Sequence, residues 1–387
     1  MKTAWLLRLS LGTCILHAVV FLTRPVTSYR TLALGGDATE VGLVTAAFSI
    51  LPIAFALPLG RMVDRRKVSG FLVAGSALVA AGAGGLALAQ ELTGLLVGSA
   101  AMGMGHLMLV AAAQSLIARR SPANLHDRDF GMFTAAASLG QLFGPVIGGL
   151  VLRGASGPAM DAATQRAFLL AAILALPAIP LSLRMDGPVR PTRPKSGAAA
   201  RTDLRSLLFA PGIAPTLLVS VMLVTSVDML SGYVPLLAEH VGIGPAAVGV
   251  LLGLRAGMSF LSRVLIGPIR AVAGRTTLIT MSAAGSALTL ALLPLIPNVW
   301  AWGVILTVAG FFLGLAQPLT MSLVVESAPP GATATALALR LGGNRVGQVV
   351  IPAAAGVLAG SAGIAAVFWL LGGLLAAGAA LARRAPG

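Results

Sequence analysis

The sequence predicts an all-α polytopic membrane protein with twelve transmembrane helices. Hydrophobic residue types make up 57% of the 387 residues, and only 10% are charged, whereas soluble proteins carry about 25% charged residues. A soluble fold of this size would lack the polar side chains to cover its surface. The composition therefore excludes a soluble enzyme, a secreted disulfide scaffold and a disordered chain. Apolar segments of about 20 residues, enough to cross a bilayer, follow one another along the chain.

Each apolar segment is predicted to be a helix, because a helix satisfies its own backbone hydrogen bonds in lipid. The strands of a membrane barrel would alternate apolar and polar residues, and these segments do not. We expect the first segment to be retained, since it lacks a small-residue cleavage site. The single Cys14 excludes an internal disulfide and a multi-cysteine metal site. The predicted spans are 9–33, 41–60, 69–89, 94–117, 131–153, 167–184, 212–236, 245–267, 276–296, 299–325, 334–358 and 362–382.

The distribution of basic residues predicts the orientation. The net charge is +15, and the basic residues lie mostly in short gaps between spans, which favours a topological role over nucleic-acid binding. The two termini and the loops on their side of the membrane hold most of them, whereas the opposite loops hold only Arg30, Arg153 and Arg166. Cytoplasmic loops are enriched in Lys and Arg. We therefore expect both termini in the cytoplasm and the protein in the cytoplasmic (inner) membrane.

A polar connector divides the chain into two repeats. The stretch 184–205 contains three prolines, six basic residues and two acids, which predicts a flexible cytoplasmic linker. The predicted organisation is a six-helix half at 1–184, a linker at 185–205 and a second half at 206–387. Parallel repeats of this kind are typical of transporters. With an offset of 207 residues, Gly140, Gln141, Pro145 and Gly149 recur as Gly347, Gln348, Pro352 and Gly356, Val41-Gly42 as Val248-Gly249, and Gly60 as Gly267.

Two equivalent loops carry a family motif. The loop after span two reads Gly-Arg-Met-Val-Asp-Arg-Arg-Lys at 60–67. It resembles the G-x-x-x-D-R-x-G-R-R loop of the major facilitator superfamily, although the second Gly is missing; in its partner at 267–275, Ala271 replaces the acid. The resemblance covers nearly the whole chain and implies a cytoplasmic latch that breaks when the halves rock; the alternative is a basic loop that only sets topology. The predicted gating residues are Gly60, Asp64, Arg65, Gly267 and Arg275.

Span five carries a second motif of the family. Its residues fit the pattern G-x8-G-x3-G-P-x2-G-G in full, from Gly131 through Gly140, Gly144, Pro145, Gly148 and Gly149. Small residues let helices approach closely, and the proline is expected to bend the helix. In the family this pattern is typical of the exporting, proton-antiport branch; the alternative is a generic tight helix contact. The antiporters also tend to carry an Arg early in span four, where this chain has Ser99.

Polar residues inside the spans are the candidate site. Ionisable groups in hydrocarbon are costly, so they usually face a cavity and often have a function. The resemblance implies that spans one, four, seven and ten line that cavity. The predicted proton-coupling residues are Asp228, His17 and His106, and the predicted substrate-cavity residues are Arg24, Tyr29, Thr225, Tyr233, Arg255, Gln317, Asn344 and Arg345.

Alternatives remain for these residues. Arg24 and Asp228 each precede a tyrosine by five positions, which suggests that they are counterparts in the two halves; Arg255 is a rival partner for Asp228. Asp228 also fits a permanently paired structural role, and the two histidines fit simple hydrogen bonds to their neighbours. Arg345 lies near a helix end and fits a side chain that reaches the membrane surface.

Charge favours an anionic, zwitterionic or amphiphilic substrate, because Arg24, Arg255 and Arg345 lie within spans against one clear acid, Asp228. The sequence predicts a proton-coupled efflux transporter that works by alternating access. The alternative is an uptake symporter for a small organic anion, with Arg24 or Arg255 as a carboxylate clamp. A membrane enzyme is disfavoured, since no histidine has an Asp four positions later and no Cys/His cluster exists. We expect no cofactor, no metal and no nucleic acid, and a monomer whose partners are substrate, protons and lipid.

Overall fold

The computed structural model describes residues 4–65, 67–121, 125–186, 213–327 and 333–384, nearly all of them helical and none in a strand. The first part of the chain forms α1 (Ala4–Ala33), α2 (Ala38–Arg65), α3 (Val68–Leu88), α4 (Leu92–Arg120), α5 (His126–Val151), α6 (Pro158–Ala175) and α7 (Ala178–Ser182). The second part forms α8 (Ile213–His240), α9 (Pro245–Val264), α10 (Ile266–Val272), α11 (Arg275–Leu292), α12 (Val299–Ser327), α13 (Thr333–Ala362) and α14 (Ile364–Arg384).

The helices have the length and composition of membrane spans. Within the described ranges, 11 helices are long and apolar enough to cross a bilayer, and α14 adds a shorter apolar stretch at Ile364–Ala380. This confirms the predicted all-α polytopic membrane protein. The sixth span begins earlier than predicted, with Pro158 in the first turn of α6, where proline needs no hydrogen-bond donor. Most of the predicted linker lies outside the described residues.

Helix contacts divide the chain into two units. The first unit contains Met1–Pro191 together with Ser231–Gly253, and the second contains Thr192–Leu230 together with Leu254–Gly387. The end of α8 and the start of α9 therefore belong to the first unit. The predicted division at the linker differs from this grouping and stays a prediction.

The sequence repeat is also a repeat of packing. In the first unit α3 packs against α4 and α6, and in the second unit α11 packs in the same way against α12 and α14. A Cβ on Gly103 of α4 would overlap the backbone of Phe48, and a Cβ on Gly310 of α12 would overlap the backbone of Arg255. Gly103 and Gly310 are 207 positions apart, and so are Phe48 and Arg255. Phe48 and Arg255 therefore occupy equivalent positions.

The same offset relates α1 to α8. A Cβ on Gly140 of α5 would meet the backbone of Cys14 and Ala18, and a Cβ on Gly347 of α13 would meet the side chains of Val221 and Thr225. The offset is again 207 positions, from Gly140 to Gly347, from Cys14 to Val221 and from Ala18 to Thr225. The packing therefore assigns Phe21, rather than the expected Arg24, as the counterpart of Asp228.

The ends of α1 and α8 repeat as well. Gly35 and Gly242 follow these helices with φ of 82° and 75°, a conformation that glycine adopts without steric cost. After each glycine, the N–H of the next residue donates a hydrogen bond to a carbonyl of the helix. Gly36 donates to Thr31, and Ile243 donates to Ala238. This hydrogen bond is the mark of a Schellman cap, which fixes where both helices stop.

Candidate functional site

Two histidines meet in the first unit. His17 of α1 and His106 of α4 face each other with their Nε2 atoms 3.3 Å apart, and their rings meet edge to face. The Nδ1 atom of His17 lies 2.9 Å from the carbonyl oxygen of Thr13, and a carbonyl only accepts, so this nitrogen carries a proton. In the neutral ring the Nε2 of His17 is then an acceptor, and His106 donates to it. The two predicted proton-coupling histidines therefore form one pair.

Arg24 lies beside this pair. Its guanidinium carbon is 4.9 Å from the ring centre of Phe21 and 4.5 Å from that of Phe48. The Phe48 ring in turn lies 5.8 Å from the ring of His106. Aromatic faces stabilise a cation by about 0.5–2 kcal/mol each, and a guanidinium stacked on a ring presents its N–H edge to a carboxylate. Arg24, Phe48, His17 and His106 are the histidine cluster of the first unit.

Asp228 is held by α13 in the second unit. Its side chain is buried, with 8% exposure, and it accepts a hydrogen bond of 2.6 Å from the Nε2 atom of Gln348. The Oε1 atom of the same amide accepts a hydrogen bond of 3.2 Å from Arg345. Arg345, Gln348 and Asp228 form a chain of hydrogen bonds that we call the α13 relay. Gln348 was not among the residues predicted for the site, although its recurrence as Gln141 and Gln348 was a signal.

Further polar side chains extend this face of α13. Arg340, Asn344 and Gln348 are spaced by four and are all buried, so they share one face of the helix. Ser220 of α8 donates to the Oδ1 atom of Asn344 at 3.2 Å, and Arg340 donates to the Thr320 hydroxyl of α12 at 3.3 Å. Arg340 is a buried cation that was not predicted from the sequence, and its four-residue spacing from Asn344 was the available signal.

Arg255 is almost completely buried, with 1% exposure. Under the packing offset, Asp228 and Arg255 stand at the positions that Phe21 and Phe48 occupy in the first unit. There the two rings flank the Arg24 guanidinium. The second unit thus carries opposite charges where the first unit carries two rings.

The two tyrosines are buried in the first unit. The Tyr233 hydroxyl donates to the carbonyl oxygen of Ala38 at 3.3 Å. The Tyr29 hydroxyl has no hydrogen-bond partner among the described residues. Ser28, next to Tyr29, donates to the carbonyl oxygen of Gly232 at 2.8 Å, which joins the C-terminal part of α1 to that of α8.

Two other predicted cavity residues lie on α8 and α12. Thr225 is fully buried, and its hydroxyl would lie 3.2 Å from a Cβ placed on Gly347. Gln317 lies in α12, but its side chain is outside the described residues. The contact of Thr225 with α13 places it near the α13 relay.

The glycines of span five lie in tight helix contacts. A Cβ on Gly144 would overlap backbone atoms of α1, whereas a Cβ on Gly148 would lie 3.2 Å from the carbonyl oxygen of Leu22. Gly149 faces a different helix, since its Cβ would meet backbone atoms at the start of α9. Pro145 lies within α5, and its carbonyl oxygen faces Gly249 of α9. The motif therefore joins α5 closely to both α1 and α9.

The predicted gating loop is described only in part. The side chains of Asp64, Arg65 and Arg275 lie outside the described residues, so the latch stays a prediction. Gly60 and Gly267 have open space where a Cβ would stand. Arg119 at the end of α4 donates a hydrogen bond of 2.6 Å to the carbonyl oxygen of Val63. This bond fixes the end of α2 directly before Asp64.

Basic residues also bind helix ends in the first unit. Arg8 donates to carbonyl groups at the end of α7, including that of Leu183 at 2.8 Å, and Arg120 donates to the carbonyl oxygen of Met185. Cations are favourable at helix C-termini. These arginines therefore have a structural role in addition to the topological role that the sequence predicted.

Asp186 caps the start of α3. Its carboxylate accepts hydrogen bonds from the backbone N–H and the hydroxyl of Ser69. Burial alone would raise the pKa of Asp186, but the bonds from Ser69 and the charge of Lys67 outweigh it, so the pKa lies below its ordinary value. A carboxylate at a helix N-terminus is stabilising, and this contact joins the end of span six to the start of span three.

Arg30 does not lie in an outer loop, where its sequence position had suggested. It lies within α1 and is 3% exposed, because its guanidinium pairs with Asp161 of α6 and donates to the Ala89 carbonyl at 2.6 Å. Paired in this way, a charge tolerates burial. Arg30 therefore joins α1 to α6 and to the turn before α4.

An apolar groove lies between α11 and α14, lined by residues such as Ala287, Leu288, Gly372 and Ala376. It contains none of the predicted site residues. In the described ranges, no group of three or more His, Cys, Asp or Glu side chains is placed to hold a metal ion.

Several solved transporters have the same architecture. A variant of the nucleoside transporter NupG has a TM-score of 0.80 at 14% identity, covering 97% of this chain and 99% of that chain. A D-xylose-proton symporter has a TM-score of 0.79 at 16% identity, covering 99% and 98%. A POT family transporter in complex with a thioalcohol conjugated peptide has a TM-score of 0.75 at 15% identity, covering 95% and 94%. At these identities the likeness concerns the fold alone.

No curated protein matches the sequence significantly. The family model described as Major Facilitator Superfamily matches residues 9–237 and 216–386, which together span nearly the whole chain. Its members are transporters embedded in membranes, in agreement with the helices and the internal repeat. The chain therefore belongs to the major facilitator superfamily.

Proposed function

We propose that this protein is a proton-coupled transporter that exports a small anionic, zwitterionic or amphiphilic organic compound by alternating access. The observation that carries the proposal is Asp228, a buried carboxylate in α8 held by the amide of Gln348. A buried acid inside a membrane span is costly and is commonly functional. The protein acts as a monomer in the inner membrane, requires no cofactor and performs no enzymatic reaction.

The coupling cycle uses the charge of Asp228. Facing outward, Asp228 takes up a proton and releases substrate; facing inward, it releases the proton and the site binds substrate again. A ligand shifts the balance of two states only by binding them unequally. The change from carboxylate to carboxylic acid supplies that inequality, because it removes the negative charge to which the Gln348 amide donates.

The histidine pair is the second candidate for proton coupling. His17 and His106 share one hydrogen bond, and a histidine ring nitrogen either accepts or donates a hydrogen bond according to whether it carries a proton. Protonation of His17 at Nε2 turns an acceptor into a donor, which breaks the bond to His106 unless that ring changes tautomer. The pair therefore has two distinct hydrogen-bonded states.

The arginines favour an anionic group on the substrate. Arg24 is flanked by Phe21 and Phe48, and its guanidinium edge matches the geometry of a carboxylate. The neighbouring rings suit an apolar body attached to that group. A lipophilic cation would meet repulsion at this position.

The direction of transport rests on the span-five motif, whose glycines and Pro145 agree with the exporting branch of the family. The second candidate function is uptake of a small organic anion together with protons, with Arg24 or Arg255 as the carboxylate clamp. The arginine-rich site favours an anion equally in either direction. A measurement of whether substrate and protons move in opposite directions or in the same direction distinguishes the two functions.

Purified protein in proteoliposomes with an imposed pH gradient tests this proposal. Wild-type protein should move an organic anion against its gradient with protons in the opposite direction. Asp228→Asn should abolish that accumulation but retain substrate exchange without a gradient, which needs no net proton movement. Proton and anion moving in the same direction would establish uptake instead. Unimpaired accumulation by Asp228→Asn would move the coupling site elsewhere, with His17 and His106 the next candidates.

The proposed orientation has a separate test. In a Cys14→Ala background, Ser196→Cys in the linker should resist a membrane-impermeant thiol reagent added outside intact cells. Ser156→Cys, in the exposed turn before α6, is the matched control and should react. The opposite pattern would place both termini outside the cytoplasm.

A further inference from the structure

Gln348 contacts two charged side chains through opposite ends of its amide. Arg345 has N–H donors and no acceptor, so the amide oxygen of Gln348 must face it, at 3.2 Å. The amide nitrogen of Gln348 must then face Asp228, at 2.6 Å. The orientation of the amide is thus fixed at both ends, and the whole chain of hydrogen bonds points toward the carboxylate.

This chain is complete only when Asp228 is ionised at the contacted oxygen. An amide nitrogen has no lone pair to accept a proton, so a proton on Oδ2 would meet the N–H of Gln348. If the amide turned over to accept that proton, its NH₂ group would face the N–H donors of Arg345. A proton on Oδ2 therefore breaks at least one of the two hydrogen bonds, whichever way the amide points. A proton on Oδ1 leaves both bonds in place but removes the negative charge that strengthens the bond from Gln348.

We propose that Gln348 is a positioning residue that holds Asp228 in its ionised form and transmits its protonation to α13. The inference rests on the proposed role of Asp228 as the proton carrier. When Asp228 takes up a proton, the α13 relay loses its charge-assisted hydrogen bond, and a proton on Oδ2 also separates the Gln348 amide from Asp228 or from Arg345. When the proton leaves, the charge-assisted bond forms again and draws α8 and α13 together.

The packing of α13 places Gln348 for this task. Gly347 lies directly against Val221 and Thr225 of α8, so the two helices are in close contact one residue away from the amide. Asn344, one turn earlier, accepts a second hydrogen bond from Ser220 of α8. The contact between α8 and α13 thus contains one hydrogen bond that depends on the proton and one that does not.

The charged side chains on α9 and α13 are all basic. Two elements contact α8 through glycines, α13 at Gly347 and α14 at Gly378. On α13 the charged side chains are Arg340 and Arg345, whereas the stretch 364–380 of α14 contains none. Arg255 on α9 is also buried. All three are cations, and Arg345 is joined to Asp228 through the Gln348 amide.

The first unit offers a natural comparison. Gln141 is the counterpart of Gln348 in the repeat, and Gly140 places it beside α1 as Gly347 places Gln348 beside α8. The position equivalent to Asp228 is Phe21, which has no carboxylate. Gln141 therefore occupies the same helix contact without a protonatable carboxylate at the equivalent position. Gln141→Met is a matched control for Gln348→Met.

Infrared titration of the purified protein tests the inference without a known substrate. The C=O stretch of protonated Asp228 is identified as the band that Asp228→Asn removes. Gln348→Met removes the donor and keeps the side-chain length, so this band should appear at a pH higher by about one unit or more, as expected for a hydrogen bond to a charged group. Gln348→Asn should shift it less, and Gln141→Met should not shift it.

Arg345→Met gives a second route if Gln348→Met does not fold. The α13 relay links Arg345 to Asp228 through the Gln348 amide, and Arg345 is partly exposed, so its replacement should be tolerated. It should produce a smaller shift in the same direction. An unchanged titration in both folded variants, or a band that never depends on pH, would overturn the inference. Loss of proton-driven transport in Asp228→Asn is measured separately, so the two proposals fail independently.

Discussion

The Nε2 atoms of His17 and His106 lie 3.3 Å apart, and the Nδ1 atom of His17 is bound to the Thr13 carbonyl. The Thr13 bond fixes the proton of neutral His17 on Nδ1. The two rings therefore share a single proton between their Nε2 atoms, and each histidine determines the tautomer of the other.

The histidine pair predicts a coupling in stability. His106→Leu removes the donor and leaves the Nε2 atom of His17 as a buried acceptor without its partner, which costs on the order of 1–3 kcal/mol. The double variant His17→Leu, His106→Leu should cost less than the sum of the two single variants. Thermal unfolding in detergent measures this cycle. Strictly additive losses would mean that the two rings do not share a hydrogen bond.

The glycines of α5 predict a graded series. A Cβ on Gly144 would overlap the backbone of α1, which cannot move aside easily, whereas a Cβ on Gly148 has 3.2 Å to its nearest atom. Gly144→Ala should therefore lower the melting temperature more than Gly148→Ala, with overpacking costs of about 1–3 kcal/mol. Gly84→Ala, where no atom lies within 4 Å, is the control and should be neutral or stabilising. The larger Gly148→Leu should abolish folding or transport. Equal effects at all three alanine sites would contradict the packing.

Asp186 predicts a stability effect that depends on pH. Its pKa is lowered from an ordinary value of 3.8, so its contribution is present above that pH and is lost as the pH falls through the lower pKa of the folded protein. Asp186→Asn should melt below wild type at neutral pH, and the difference should shrink in strongly acidic buffer. Glu91→Gln is the control, because Glu91 precedes α4 without a side-chain capping bond. A difference that is constant with pH would exclude the charge as its cause.

The gating loop predicts a kinetic effect. Arg119 holds the end of α2 through the Val63 carbonyl, directly before Asp64. If Asp64 belongs to a latch, Asp64→Asn should lower the transport rate more than the substrate affinity, because it changes the balance between the two facing states. Initial rates and equilibrium binding measured on the same preparation separate the two quantities. A variant with the wild-type rate would leave the loop with a purely topological role.

Much of the fold follows from sequence pattern. Long apolar segments separated by short basic gaps can adopt few structures in lipid, because a helix satisfies its own backbone hydrogen bonds. The repeat was equally visible, because residues such as Gly140 and Gly347 serve the same close contact and tolerate little change. Sequence spacing also placed His17 and Asp228 correctly within their helices, since position along a span requires only counting.

The partners of these residues required the tertiary structure. Arg24 and Asp228 looked equivalent by their distance to a tyrosine, but the glycine contacts assign Phe21 to that position. Arg30 looked like a loop residue, yet Asp161 compensates its charge inside α1. The bounds of a span follow from the average polarity of the sequence. Whether a charged side chain is buried depends instead on its partner on another helix.

The sequence by itself determined the fold class, the internal repeat and the membership of the family, because these depend on hydrophobicity and on small residues at fixed spacing. Only the tertiary structure decided that His17 meets His106 and that Gln348 links Asp228 to Arg345. These contacts join helices that are far apart in the chain, and their geometry depends on side-chain direction and helix rotation. The proposed proton chemistry therefore rests on contacts between helices rather than on any single motif.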